Sequence, residues 1–250
     1  MQTTNVRNLF VIHGYKIILL LFIGMLFANP AEAQRRDKSN YNYFLFKQKP
    51  YYFGLTLGSN SSRFSAFRSK QYIYSDSITS VKSVSGPGFN LGIVTNLKIG
   101  EYFDFRFLPT LSFAERTLNY TKNSRLTPNS QEKVESIFVE MPFHFRFKSA
   151  PYRDKRLFVI GGVKYAFDVA SKARATSEGS DQIIKISPHD FSLEVGAGIQ
   201  LFFPYFIFSP EIKMSYGIGN TLLFNPNLEE SSVLDKILSR TFTISFHFEG

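Results

Sequence analysis

Residues 137–147 read IFVEMPFHFRF, a stretch in which large apolar side chains occupy every second position. The positions between them include Glu140, His144 and Arg146. Because successive side chains of a β-strand point to opposite faces, this stretch predicts a strand with one apolar and one charged face. A β-sandwich must keep its inner faces dry and would reject those charges. The stretch therefore indicates a membrane barrel, with lipid outside and a polar lumen.

Seven further segments of the chain alternate in the same way. They are residues 51–58, 89–99, 103–113, 157–168, 191–201, 206–216 and 241–248. Charged residues within these segments fall almost wholly on the face opposite the apolar one. The sequence therefore predicts an all-β fold, an eight-stranded antiparallel transmembrane β-barrel of the outer-membrane type.

The connections between these segments alternate in length. Residues 100–102 and 204–205 leave room only for tight turns, whereas residues 59–87, 115–135, 170–189 and 218–240 form long connections. Outer-membrane barrels have short periplasmic turns and longer outer loops, so both termini are predicted to be periplasmic. Aromatic residues cluster at the predicted periplasmic strand ends: Tyr51, Phe103, Phe147, Phe203, Tyr205, Phe206 and Phe248.

Three prolines fall within predicted strands, at Pro109, Pro142 and Pro210. Proline lacks the N–H that a ladder requires, so we interpret these positions as β-bulges. In the last long connection, the apolar residues between Leu228 and Leu238 are spaced as in a short amphipathic helix.

The N-terminal residues carry the features of a secretory signal peptide. Arg7 and Lys16 precede the apolar run IILLLFIGMLF at 17–27, and the small-residue site AEA follows at 31–33. Cleavage is expected between Ala33 and Gln34. The apolar run has eleven residues, well short of the roughly 20 that span a bilayer as a helix. We therefore expect a signal peptide at 1–33, a basic periplasmic segment at 34–50 and the barrel at 51–250.

The composition limits the possible chemistry. The chain has no cysteine, which excludes disulfides, thiolate metal sites and a lipoprotein anchor. It has 28 Phe and 13 Tyr and a net charge of +9. A protein outside the cytoplasm has no nucleic acid to bind, so we expect outer-membrane lipid and other proteins as its partners.

The segment at 34–50 is strongly basic. Its cations are Arg35, Arg36, Lys38, Lys47 and Lys49. Such a segment could bind a periplasmic partner or contact anionic headgroups. Charged runs of this kind are more often solvated tails, and we favour that interpretation.

Charges on the inner face predict a polar plug. They are Asp104, Arg106, Glu140, His144, Arg146, Lys164, Glu194, Glu211 and Lys213. An eight-stranded barrel is just wide enough for its own side chains to fill the lumen. We expect Glu140 to pair with Lys164 and Glu194 with Lys213, since each pair lies at similar depth. A narrow selective pore is the alternative, but unpaired buried charge is costly.

The sequence favours no enzymatic activity. Ser209 or Ser215 could face His144 across the lumen, yet a filled lumen admits no substrate and no catalytic motif is present. We therefore expect no catalytic residues, no metal, no cofactor and no small-molecule substrate.

The order of several motifs is more specific than the alternation. They are VEMPFHFRF at 139–147, FVIGGVKY at 158–165, EVGAGI at 194–199, SPEIKMSYGI at 209–218 and SFHFEG at 245–250. Together they resemble the PorT (SprT) outer-membrane β-barrel family of Bacteroidetes, over nearly the whole of the chain after the signal peptide. The Glu-x-Pro strand alone is shared by many barrels.

This resemblance implies an accessory role in the type IX secretion system, which exports proteins bearing C-terminal sorting domains and in some species supports gliding motility. It implies contacts with other secretion components and no catalytic residues. A general surface barrel, acting as an adhesin or stabilising the envelope, is the alternative.

Overall fold

The computed structural model describes most of the chain after the predicted signal peptide. The described residues are 41–69, 72, 78–122, 130–171, 185–223 and 233–250. The predicted cleavage site at Ala33 and Gln34, together with Arg35, Arg36 and Lys38, lies outside them. No helix in the described part is long and apolar enough to cross a bilayer.

One short helix and eleven strands make up the described fold. The helix is α1 (Tyr41–Lys47). The strands are β1 (Tyr51–Arg68), β2 (Ile78–Lys98), β3 (Phe103–Phe107), β4 (Thr110–Lys122), β5 (Ser130–Lys148), β6 (Lys155–Asp168), β7 (Lys185–Ile186), β8 (His189–Phe202), β9 (Ile207–Gly217), β10 (Leu222–Leu223) and β11 (Leu234–Glu249).

Nine of these strands close into one antiparallel ring. The order is β1-β11-β9-β8-β6-β5, then β3 and β4, then β2, which pairs with β1 to close the ring. Strands β3 and β4 both lie between β2 and β5, so they share one position in the wall. The ring therefore has eight positions, and the predicted eight-stranded antiparallel barrel is confirmed. The pair β7–β10 forms a separate small sheet.

The two faces of the wall match the predicted alternation. In β1, the exposed side chains of Phe53, Leu55 and Leu57 alternate with Gly54 and the buried Thr56. Large apolar side chains are exposed in the same way on the other long strands. Short turns join the strands at the end where β1 begins and β11 ends, and longer connections lie at the other end. This arrangement places the start of β1 and the end of β11 on the periplasmic side.

The strand prolines lie at interruptions of the ladder rather than at bulges. Pro109 falls in the break between β3 and β4, and the Leu108 N–H donates to the Pro142 carbonyl across that break at 3.3 Å. Pairing of β5 with β6 runs through Pro142 without a register shift. Pro210 lies where the β8–β9 pairing is interrupted between Gly198 and Leu201, with equal numbers of residues on both strands. The predicted bulges are wrong because each missing N–H faces a gap.

Several strands are much longer than the membrane requires. Strands β1, β2 and β5 have 18, 21 and 19 residues, whereas about 9–11 residues span a bilayer in a barrel. At the outer end, side chains from these strands, from β4, β10 and β11, and from the residue just before β11 form an apolar cluster. Its members are Phe64, Ile78, Val81, Leu118, Tyr120, Val134, Leu222, Val233, Leu234 and Ile237. The helix predicted over 228–238 is wrong for residues 234–238, which belong to β11. Residues 228–232 lie outside the described part of the chain.

A register shift explains why this part of β11 looked helical in sequence. Phe67 pairs with Lys236 and Arg68 with Leu234, so Asp235 is an extra residue. The extra residue breaks the alternation and brings both Leu234 and Ile237 into the apolar cluster.

Replacing Ile237 with alanine should lower the free energy of unfolding by about 2–5 kcal/mol, because the side chain is fully buried in the outer apolar cluster. Urea unfolding in detergent micelles measures this. Ile218→Ala removes the same atoms at the same end from an exposed position and should change stability by less than about 0.5 kcal/mol. Equal effects of the two substitutions would show that the cluster contributes nothing.

Candidate functional site

The periplasmic third of the lumen contains an ion cluster centred on Asp104 of β3. Its carboxylate Oδ2 accepts from Arg146 of β5 at 3.0 Å (Nε) and 2.5 Å (Nη2), and its Oδ1 accepts from Lys148. Arg146 also donates to the Tyr52 hydroxyl of β1. The side chains of Asp104 and Arg146 are fully buried. This cluster joins β1, β3 and β5 just inside the periplasmic mouth.

A second cluster crosses the lumen from Arg106. Its Nη1 lies 3.0 Å from Glu211 Oε2 on β9, and its Nη2 lies 2.6 Å from Glu249 Oε1 on β11. His247 Nε2 lies 3.5 Å from the same Glu211 oxygen. In a ring of eight positions, β3 and β9 are directly opposite. Arg106 therefore bridges the full width of the lumen.

A third cluster surrounds Glu194 of β8. His144 Nε2 lies 2.6 Å from Glu194 Oε2, and Lys213 Nζ lies 3.6 Å from the same oxygen. Lys164 Nζ lies 3.4 Å from Glu194 Oε1 and 2.9 Å from Glu140 Oε1. The two sequence-predicted pairs thus lie within one cluster, and Lys164 joins them.

The three clusters are balanced in formal charge. Their carboxylates are Asp104, Glu140, Glu194, Glu211 and Glu249. Their permanent cations are Arg106, Arg146, Lys148, Lys164 and Lys213. Each charge of the three clusters thereby has a counter-charge, which offsets the cost of removing it from water. Bulky guanidinium and imidazole groups occupy the space that a pore would need.

All nine predicted inner charges lie in these clusters, and the predicted set missed four members: Tyr52, Lys148, His247 and Glu249. Lys148 lies two residues after the inward Arg146 of β5, and Glu249 lies two residues after the inward His247 of β11. Extending each predicted strand by one residue would have found both. The role of Tyr52 had no sequence signal, because its partner is on a strand distant in sequence.

The suggested serine–histidine contacts do not form. His144 pairs with Glu194, and Ser209 Oγ makes no hydrogen bond with any described residue. Ser209 lies opposite His247 in the β9–β11 ladder, with both side chains buried.

Helix α1 covers the periplasmic mouth of the barrel. Tyr43 and Phe46, one turn apart, pack on the inward side chains of Phe202 and Ile207. The rings of Tyr43 and Phe202 meet edge to face at 5.2 Å. Burial raises the pKa of the Tyr43 hydroxyl. The preferred interpretation of 34–50 as a solvated tail is wrong for the part that forms α1.

Polar contacts hold the helix at this position. The Tyr43 N–H donates to Asp154 Oδ1 at 3.0 Å, and Asn42 Nδ2 donates to the Phe202 carbonyl at 3.1 Å. Asp154 lies in the β5–β6 turn with a φ of 57°, a left-handed conformation that aspartate tolerates better than most residues. Lys98 Nζ donates to the carbonyl of Phe46 near the end of the helix.

A basic cavity lies between α1 and the mouth, with a volume of about 270 Å³. Its cations are Lys47, Lys49, Lys98, Lys148 and Arg156. Among the described residues, Arg156 donates only to uncharged acceptors, the carbonyls of Ser149 and Glu101 and the Tyr43 hydroxyl. Lys47 Nζ lies 3.9 Å from Glu101 Oε1, and both side chains are half exposed. The cavity therefore has an excess of positive charge facing the periplasm.

A family comparison agrees with this architecture. The family model described as "Outer membrane protein beta-barrel domain" matches residues 33–223. The chain belongs to this family. It is an outer-membrane β-barrel whose apolar wall contacts membrane lipid. No curated protein matches the chain by sequence.

Solved outer-membrane proteins are similar to the chain at low identity. OprG from Pseudomonas aeruginosa is 11% identical with a TM-score of 0.45, covering 80% of this chain and 95% of its own. Neisserial surface protein A is 11% identical with a TM-score of 0.41, covering 78% and 96%. Ail of Yersinia pestis, solved with a heparin analogue, is 13% identical with a TM-score of 0.33, covering 81% and 100%.

Replacing Arg106 with leucine should lower the free energy of unfolding by about 3–5 kcal/mol, because two buried carboxylates lose their nearest counter-charge. The double variant R106L/E211L should lose less than the sum of the single variants. Urea unfolding in micelles measures both, with the exposed Lys82→Leu as the control. Additive effects would mean that the ion pair is not energetically coupled.

Substitutions of Phe46 and Phe44 provide a matched test of helix docking. Phe46 is 5% exposed and Phe44 is 49% exposed, although both lie in α1. Phe46→Ala should speed amide hydrogen exchange across residues 41–47, whereas Phe44→Ala should leave it unchanged. Similar exchange in both variants would contradict the docking. The barrel amides serve as the internal control in each protein.

Proposed function

We propose that this protein is a non-conducting accessory barrel that acts through protein contacts at its periplasmic end rather than by transport or catalysis. The observation that carries this proposal is the lumen, which is filled by ion clusters whose charges are paired, and in which Arg106 bridges opposite walls. A barrel of this size has no interior space left for a passing molecule once its side chains fill it. Helix α1 covers the mouth below the clusters.

The assembly that we propose for these contacts is the type IX secretion system. This assignment rests on the motifs at 139–147, 209–218 and 245–250 that resemble the PorT family. Cargo with C-terminal sorting domains would cross the membrane through another component, because a folded protein is far wider than this lumen. The barrel would support assembly of that machinery.

The periplasmic surface suits an acidic partner. Lys47 and Lys49 are exposed at the rim of the cavity, and the buried Arg156 behind them has no carboxylate within salt-bridge distance among the described residues. Complementary charge speeds association and favours one partner over another. A periplasmic protein with acidic side chains would therefore associate preferentially with this surface.

Charge reversal at Lys47 and Lys49 tests the proposal. In the organism, K47E/K49E should reduce both secreted cargo and co-purified secretion components by about tenfold or more, since like charges would then meet. The amount of barrel in the outer membrane should stay unchanged. Lys82→Glu with Lys236→Glu, at the opposite end, is the matched control and should secrete normally.

Normal secretion in a strain that lacks the gene would contradict the type IX role. Normal secretion in K47E/K49E, together with a defect in the deletion strain, would show that the partner does not bind at the cavity rim.

A surface role as adhesin or envelope stabiliser is a second candidate, favoured by the strand extensions. The apolar cluster around Leu118 and Ile237 packs the outer ends of the long strands against one another. Under this alternative, shortening the outer extensions would abolish the phenotype and K47E/K49E would have no effect. The two candidates therefore predict opposite results for K47E/K49E.

A further inference from the structure

Two arginines lie directly opposite each other on the outer wall of the barrel. Arg63 of β1 and Arg240 of β11 are cross-strand partners. Arg63 is an even number of residues from the outward-facing Leu57 of β1, and Arg240 is two residues from the outward-facing Phe242 of β11. Both arginines therefore face outward, and neither is buried. Directly opposite residues have Cβ atoms about 4.5–5.5 Å apart, so two positive charges here repel each other.

Nothing in the described part of the chain neutralises this pair. No described carboxylate lies within 4.0 Å of either guanidinium, although Asp235 is exposed further along β11. The outward charges on the opposite side of the barrel behave differently. There, Lys133 Nζ lies 3.0 Å from Glu115 and 2.8 Å from Glu135. The arginine pair is therefore a site of unbalanced positive charge.

The pair lies at the outer edge of the lipid-facing band. From Phe248 at the periplasmic end of β11 to Arg240, the strand rises by about 27 Å, or about 21 Å along the membrane normal at the usual tilt. The apolar band of such barrels is about 25 Å tall and ends in aromatic girdles. Tyr216 pairs with Arg240 from the other neighbouring strand, and Arg240 stacks over its ring at 5.8 Å. The arginines thus lie where lipid headgroups begin.

Both arginines line a pocket of about 200 Å³. Hydroxyl groups of Ser61, Ser85 and Tyr216 belong to its lining, and the apolar side chains of Met214 and Phe242 lie on its membrane side. The upper part of the pocket can therefore donate hydrogen bonds to an anion. The lower part continues the lipid-facing wall.

We propose that this pocket binds the phosphate of a phosphorylated glycolipid in the outer leaflet. Two arginines present planar, charged donors that match phosphate oxygens, and an anion between them removes their repulsion. The apolar side chains below accommodate the first part of an acyl chain, which a free phosphate ion lacks. The site lies on the outer wall and does not depend on the function proposed for the periplasmic surface.

Thermal unfolding of the purified barrel in a zwitterionic detergent tests this site. The probes are bisphosphorylated lipid A, the same lipid A with both phosphates removed, and inorganic phosphate. Lipid A should raise the Tm of the wild-type barrel, because a ligand that binds the folded state stabilises it. Dephosphorylated lipid A and inorganic phosphate should not raise it at the same concentration.

The double variant R63Q/R240Q should bind lipid A about tenfold or more weakly, since it loses two charge-assisted contacts. Without lipid A it should unfold at the same or a higher temperature than the wild type, because the like-charge repulsion is gone. The control variant K133Q/K155Q removes two exposed cations elsewhere and should keep the lipid A response.

Three outcomes would overturn the proposal. One is an unchanged response to lipid A in R63Q/R240Q, and the second is an equal response of the wild type to dephosphorylated lipid A. The third is stabilisation by inorganic phosphate as large as that by lipid A, which would indicate a free-anion site.

Discussion

The ion pairs from Arg106 to Glu211 and Glu249 connect opposite walls of the barrel, and the rest of the structure depends on them. The outer wall faces lipid, so every charge on the strands has to point inward or lie at a rim. Once inside, each charge needs a partner, because an unpaired buried ion costs several kcal/mol. Within the three clusters the chain meets this requirement with equal numbers of cations and carboxylates. The filled lumen follows directly from that requirement.

A filled lumen leaves the ends and the outer wall as the surfaces where the protein can act. The periplasmic end carries a docked helix and excess positive charge around Arg156. The outer end contains an apolar cluster above the membrane. The outer wall carries the arginine pair at the headgroup level. These three features do not share residues, so lipid contact and protein contact can be changed independently by substitution.

The sequence predicted the features that depend on neighbouring residues. Alternation within each strand predicted the inward positions of Glu140, His144 and Lys164, because a period of two decides the face of every side chain. Contacts between distant segments were not predictable in this way. The docking of Phe46 depends on Phe202 and Ile207, which lie more than 150 residues further along the chain. The extra residue at Asp235 gave β11 a helical spacing, and only the pairing with β1 reveals the shift.

The central claim, that paired charges fill and close the lumen, is tested most directly by conductance. The purified full-length barrel would be inserted into a planar lipid bilayer and its current recorded in molar potassium chloride, with insertion verified by protease protection in vesicles of the same lipid. The account predicts no channel current in the wild type, and discrete openings when Arg106, Glu211 and Glu249 are all replaced by alanine. Steady ionic conductance through the wild-type barrel would contradict it.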